Sequence, residues 1–247
     1  MKTKFILLFS ACAVLASQPA FEAASIRANN EADRPGTPTA KVTPGVLTMH
    51  NQALVYLIQW AYDVPRVEIE GPPWLREVWF DVEAKADHPA TETELRLMLR
   101  KLLEDRFGLT LHREARVLPV YAVTLAKGGP KLEEATTEGD FTLEHTNSLM
   151  VLAHHARLTD LAEGIADEIG RPVVDETGLP GRYEIQVNLA PYVTKFARGE
   201  DGNPVQVDMM SLLFTGLQEQ LGLKLESKKA SVDVLVIDHV EKTPTGN

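Results

Sequence analysis

Asp105-Arg106-Phe107-Gly108-Leu109-Thr110-Leu111 and Glu219-Gln220-Leu221-Gly222-Leu223-Lys224-Leu225 align without a gap. Each reads as the last turn of an amphipathic helix, a glycine that stops it, and the alternating start of a strand. Working outward, the first helix carries Leu95, Met98, Leu99, Leu102, Leu103 and Phe107 on one face, and the second carries Met210, Leu213, Phe214, Leu217 and Leu221. Strands precede both helices: Trp79 to Ala84 after the turn Gly71-Pro72-Pro73-Trp74, and Arg182 to Val187 after Thr177-Gly178-Leu179-Pro180-Gly181. Earlier still, the stripes Leu54/Leu57/Ile58/Ala61 and Leu158/Leu161/Ala162/Ile165/Ile169 have helical spacing, each led by a strand-like segment, Gly45–His50 and Leu149–His154.

Four elements recurring in one order indicate an internal duplication. The expected fold is α+β, with strand-helix-strand and helix-hairpin units repeated and helices packed on mixed or antiparallel sheets. The expected halves are residues 21–127 and 148–243. In each, the closing β-rich segments (Leu109–Glu114 with Val117–Leu125, and Leu223–Ser227 with Val232–Val240) read as a hairpin. Three stretches read as loops by composition: Asn29–Thr43, the acidic linker 128–147, and an insertion at 191–208.

The chain begins like an exported protein. Lys2 and Lys4 form a positive region, Phe5–Leu15 is an apolar run, and Val14-Leu15-Ala16 suits cleavage, so residues 1–16 read as a signal peptide. The run is far short of the roughly 20 residues that a membrane-spanning helix needs. Cys12, the single cysteine, leaves with the signal. The mature chain is then cysteine-free, which excludes disulfides, thiolate catalysis and cysteine-ligated metals. A lipoprotein reading, with Phe9-Ser10-Ala11 before a lipid-bearing Cys12, is the minority alternative. The net charge is −10, and loss of Lys2 and Lys4 makes it more negative. That argues against nucleic-acid backbones and anionic lipid as partners.

Chemistry is sparse. No G-x-S-x-G nucleophile turn, H-E-x-x-H motif or phosphate-binding glycine loop is present, and Gly128-Gly129-Pro130 lacks the lysine and spacing of the last. His154-His155, with His145 upstream and Asp160 beyond, is the densest group of metal-ligand types. Adjacent histidines on a strand point to opposite faces, however, so the spacing is poor for a metal. His50 matches His154 in the other half, which suggests a shared turn role, such as bonding the first amides of the following helix. Paired carboxylates, for instance Glu104-Asp105 or Asp175-Glu176, are expected by chance among 35 acids and read as solvated surface. Trp60, Trp74 and Trp79 cluster at the first turn. Trp74 is either a contact residue or, more commonly for such a position, packing over the helix–sheet layer.

A family resemblance runs through most of the chain. Phe21–Arg27, Leu57-Ile58-Gln59-Trp60-Ala61-Tyr62, Gly71-Pro72-Pro73-Trp74-Leu75 and Phe80–Ala86 carry its first part. Leu103–Phe107, Leu118-Pro119-Val120-Tyr121, Ala126–Leu132, Gly170–Asp175 and Gly181-Arg182-Tyr183 carry the rest. Together they resemble a family of exported proteins of unknown function, abundant in Acidobacteria. That resemblance implies no activity and transfers no functional residue. Ala23 and Ala24, where the first strand of the family has a branched residue, and the acidic linker depart from it. A weaker, architectural likeness is to the short N-terminal domain of secretins and TonB-dependent receptors, which are envelope protein–protein interaction modules.

The expected function is therefore a non-enzymatic binding or protein-interaction module of the cell envelope. It would present a sheet edge or the groove between its halves to a protein, peptide or small ligand. The alternative is a periplasmic hydrolase using histidine and carboxylates between the halves. Candidate contact residues are Trp74, His154, His155, Arg182 and Tyr183; no catalytic, cofactor-binding or metal-ligating residue is assigned.

Overall fold

The structure is a computed structural model that describes residues 19–29, 38–136, 139, 141–147, 149–196 and 208–246; the side chains of 143–147 and 194–196 are not included. The expected signal segment, Cys12 and most of the expected insertion at 191–208 lie outside these residues. Twelve strands and five α-helices are described. In the first half they run β1 (Ala23–Asn29), β2 (Thr39–Thr43), β3 (Val46–Ala53), α1 (Leu54–Tyr62), β4 (Ile69–Glu70), β5 (Trp79–Lys85), α2 (Glu92–Phe107) and β6 (Thr110–Leu125). The second half runs β7 (Glu133–Glu134), β8 (Thr142–Asn147), β9 (Met150–Ala156), α3 (Leu158–Ile169), β10 (Val173–Asp175), β11 (Tyr183–Asn188), α4 (Ala190–Phe196), α5 (Met209–Gly216) and β12 (Leu223–His239). A π-helical turn, Leu217–Leu221, continues α5.

The class is α+β, and the repeat extends to the strand order. The first half builds a sheet ordered β1-β5-β3-β2 and the second a sheet ordered β7-β11-β9-β8, the same arrangement with matching elements. The third sheet belongs to both halves, in the order β10-β6-β12-β4. Its centre is the long antiparallel ladder of β6 with β12, from Leu125 opposite Leu223 to Thr110 opposite His239. Each short strand crosses to the other half: Ile69 of β4 pairs with Leu235, and Val173 of β10 pairs with Tyr121. These two contacts are equivalent under an approximate twofold that runs through the Val117–Ser231 pair.

The cores are shared in the same way. The first contains Leu54, Leu57, Ile58, Phe80, Leu99, Leu103 and Phe107, and is completed by Leu235 from β12. The second contains Leu158, Ile165, Ile185 and Leu217, and is completed by Val123 from β6. Phe80 and Phe107 meet edge to face with centroids 5.0 Å apart, an arrangement that suits the ring quadrupoles. α2 is set by a capping box, in which Thr91 Oγ1 accepts from the Glu94 amide and Glu94 accepts from the Thr91 amide. It ends at Gly108, which takes the left-handed conformation at φ 59°. Gly222 ends the matching segment at φ 65°, and a Cβ there would stand only 2.0 Å from the carbonyl oxygen of Gly129. The Gly128-Gly129-Pro130 turn is thus packed against a helix end, its neighbour Lys131 donating to the Leu221 carbonyl at 2.8 Å.

Several expectations change. The closing segments of each half do not fold back as hairpins; each runs on as one strand of 16 or 17 residues and pairs with its counterpart. Their joints, Ala115-Arg116 and Lys228-Lys229-Ala230-Ser231, hold no glycine, proline, asparagine or aspartate, and only one serine, to make a turn. Loop-like composition also conceals three strands: β2 within Asn29–Thr43, and β7 and β8 within 128–147. All three lie at or beside sheet edges, where polar side chains guard against unwanted pairing and remove the alternation that would mark a strand.

Because each core borrows a strand, neither half is a complete folding unit. Residues 19–127 and 128–247 produced separately are expected to show no cooperative melt by circular dichroism, and to co-purify one to one when co-expressed. A monomeric half with its own sharp melt would contradict the shared sheet. Phe107→Ala in the full chain is expected to cost about 3–5 kcal/mol in denaturant unfolding.

Candidate functional site

The sequence candidates converge in part. β9 carries a bulge where its register with β11 shifts between Ala156 opposite Tyr183 and Ala153 opposite Ile185. At the bulge His155 adopts φ 52°, and Glu184 from β11 holds it. Glu184 Oε2 meets His154 Nδ1 at 2.5 Å, and Oε1 accepts from the His155 amide at 3.3 Å. These bonds hold the Glu184 carboxyl below the usual carboxylate range, that from His154 contributing most. Arg182 Nη1 donates to the His155 carbonyl at 2.7 Å, while Tyr183 is buried in the second core. Trp74 stands apart, half-buried against the first core.

The first half repeats this construction. Asn51 adopts φ 54° at the bulge of β3, a conformation that asparagine tolerates well. Asp81 of β5 accepts from the Asn51 amide at 2.7 Å and from Asn29 Nδ2 at 2.8 Å, with His50 Nδ1 3.7 Å away. A carboxylate that pins a bulge amide at the joint between strand and helix is thus part of the architecture in both halves. The expectation that His50 and His154 bond the first helix amides does not hold. The Leu54 amide donates to the Val78 carbonyl, α3 is capped by its own Arg157–Asp160 pair, and the imidazoles face carboxylates on the next strand. Among the described residues, no three His, Cys, Asp or Glu side chains converge as metal ligands. His145 lies on β8, its side chain outside the described set.

A second site lies between the halves. A cavity of about 440 Å³ is lined by Tyr56, Arg66, Val67, Arg76 and Trp79 from the first half and Asp167 from the second. Asp167 is the clasp. Its Oδ1 accepts from the Arg66 amide at 2.8 Å, its Oδ2 from Gln59 Nε2 at 2.6 Å, and its carbonyl from Arg66 Nη2 at 3.0 Å. The Arg66 guanidinium also bonds the Tyr56 hydroxyl and lies 4.8 Å from that ring's centroid. Arg76 ends the 3₁₀ turn Pro73–Arg76 and is exposed at the cavity. Apart from Trp79, one of the clustered tryptophans, these groove residues do not stand out in the sequence, because Asp167 is about a hundred positions from Gln59 and Arg66. Glu184 was legible in principle: the repeat matches it to Asp81, just as it matches His154 to His50.

Residues 55–240 match the family described as protein of unknown function, DUF3738. The chain belongs to this family. No curated protein and no solved structure matches it. The DUF3738 region starts in α1 and ends just beyond β12, so it takes in the groove, the β9 bulge and the shared sheet, while the β3 bulge at Asn51 lies just before it.

Beside the groove, two carboxyls of the DUF3738 region are poised near neutrality. Burial raises Glu68 to about 7, reinforced by the nearby charges of Glu163, Asp233 and Asp167 and opposed by Arg113. Glu163 rises to about 7 for the same first cause, with Asp63 and Asp160 adding to it. Glu163 is exposed and Glu68 half-buried, so solvent screens both and Glu163 more, and the shift is better supported at Glu68. A carboxyl raised in this way binds more protons in the folded than in the unfolded chain between about pH 4.5 and 7. Its contribution to stability is therefore largest at the acid end of that window and is lost as the pH rises through 7. Glu68→Gln is expected to stabilise the protein at pH 8 by about 1 kcal/mol after allowance for solvent screening. The gain should vanish by about pH 4.5 in denaturant titrations run across the range.

Proposed function

We propose that this DUF3738 protein is an exported binding module of the cell envelope, with the groove between its halves as the ligand seat. The observation that carries the reading is the groove itself: a concavity of about 440 Å³ with aromatic and aliphatic walls and a few directed polar groups. Export is supported by Lys2, Lys4 and the apolar run that follows them, with cleavage after Ala16 removing Cys12. Among the described residues, no helix is long and apolar enough to cross a membrane. The strand and Leu-x-x-Leu helix that resemble the short N-terminal domain of secretins and TonB-dependent receptors support an interaction role in that compartment. The hydrolase alternative draws on Glu68, protonated near neutrality at the junction of the halves. Its histidine–carboxylate pair, His154 with Glu184, already has a part in shaping the bulge, as His50 and Asp81 do in the other half.

The test immobilises the mature chain and a Val67→Trp variant, which fills the groove, and passes envelope extract over both after their melting curves have been matched. A component held by the parent and released by the variant is the expected result, together with a mature N-terminus at Ser17 by mass spectrometry. Equal retention by both chains would remove the groove from the function. Turnover of chromogenic esters or amides that falls in both His154→Ala and Glu68→Gln would establish the hydrolase instead.

A further inference from the structure

We propose that the groove takes a carboxylate-ended ligand of about dipeptide size, with Arg76 as the ionic anchor and the Trp79 and Val67 wall beside its apolar part. The inference rests on the groove being the ligand seat. Its starting point is a difference among the arginines. Arg66, Arg96, Arg116 and Arg157 are paired with acids, and Arg100 and Arg171 lie over tyrosine rings. Arg76 has no hydrogen-bond, ion-pair or ring partner among the described residues, although the chain has ten more acidic than basic side chains. It is exposed and lines the same cavity as Arg66. A planar guanidinium with its donors unspent matches a carboxylate in two parallel hydrogen bonds.

The Asp167 part of the lining selects against a more highly charged anion. Both carboxylate oxygens of Asp167 already accept bonds, from Gln59 and from the Arg66 amide, and Arg66 itself is spent on Tyr56 and Asp167. That wall is the C-terminal end of α3, at Gly170, where the helix presents carbonyls and a partial negative charge. It suits ligand N–H groups and repels a dianion such as phosphate. The lining therefore offers one cation without a partner among the described residues, carbonyl and carboxylate acceptors at Asp167 and the end of α3, and valine, tyrosine and tryptophan surfaces. A peptide ending in a free carboxylate, or an N-acylated amino acid, has the complementary set of groups. The volume, about 440 Å³, limits the enclosed part to about two residues.

The probes are N-acetyl-alanylvaline, its C-terminal amide, potassium acetate and sodium phosphate, titrated into the full mature chain. The Trp79 indole and Arg76 Nε–H resonances are followed in ¹H–¹⁵N spectra. The acid is expected to shift both resonances and to bind at least tenfold more tightly than the amide. Arg76→Gln should erase that difference, and Arg76→Lys should recover part of it. Equal binding of acid and amide would overturn the carboxylate anchor while leaving the groove occupied. Acetate as tight as the peptide would overturn the dipeptide-sized seat, and phosphate tighter than either would overturn the selection against dianions. If neither peptide shifts Trp79 while the extract component still depends on Val67, the carboxylate inference fails and the groove reading survives. If that component is indifferent to Val67→Trp, the groove reading itself has failed.

Discussion

β6 and β12 lie side by side along their whole length, and their antiparallel ladder is the contact on which the rest of the molecule depends. Every other sheet contact between the halves is an extension of it, since β4 adds to β12 and β10 adds to β6. The ladder also closes both cores, delivering Leu235 to the first and Val123 to the second. Its backbone bonds alone would hold little against the entropy of ordering two long strands. What secures it is that each end of the ladder carries apolar side chains into a core while the middle, around Val117 and Ser231, is left to solvent. The joined halves then hold the turn carrying Arg66 against the end of α3, and this is what creates the groove.

Much of this was legible in the residues. Helix faces at 3.6-residue spacing, glycine stops at Gly108 and Gly222, and the repeated order of elements follow from local physics acting on local sequence. The exchange of strands between halves was not legible. A continuous strand and a hairpin of the same composition differ only at the joint, and which strand an edge pairs with is a long-range matter. The polar edge strands were hidden because solubility at an edge demands the same residues that a loop uses. At the site, the histidines were visible as a cluster but their role was not. Only the match between the Asp81 and Glu184 positions shows that the cluster is a bulge support built twice. Asp167, Arg66 and Arg76 were invisible because ordinary charged residues become a site only when distant segments meet.

The bulges deserve comparison for what they tolerate. Asn51 is well suited to a left-handed backbone, whereas His155 at the equivalent place is a less usual choice. The second half compensates with a bonded set of neighbours, including the Glu184 carboxylate on the amide and Arg182 on the carbonyl. One backbone shape is thus reached with two side-chain solutions, and the chemistry at this position has been free to drift while the geometry has not.

Such drift has a larger outcome at the groove. The register of the repeat places Gly170 where the other half has Arg66, and both line the same cavity. A true homodimer of one half would set two arginines, or two glycines, across that junction. Two arginines would each meet Asp63 in the place of Asp167, and two glycines would lose the clasp, so either junction would be identical on its two sides. Covalent fusion of the two copies lifts that constraint, because each copy is free to specialise without its mirror image following. The twofold is preserved where pairing and packing need it and abandoned where a ligand would need a front and a back. Asymmetry at this junction is therefore something that a single chain with two halves can encode and a dimer of identical subunits cannot.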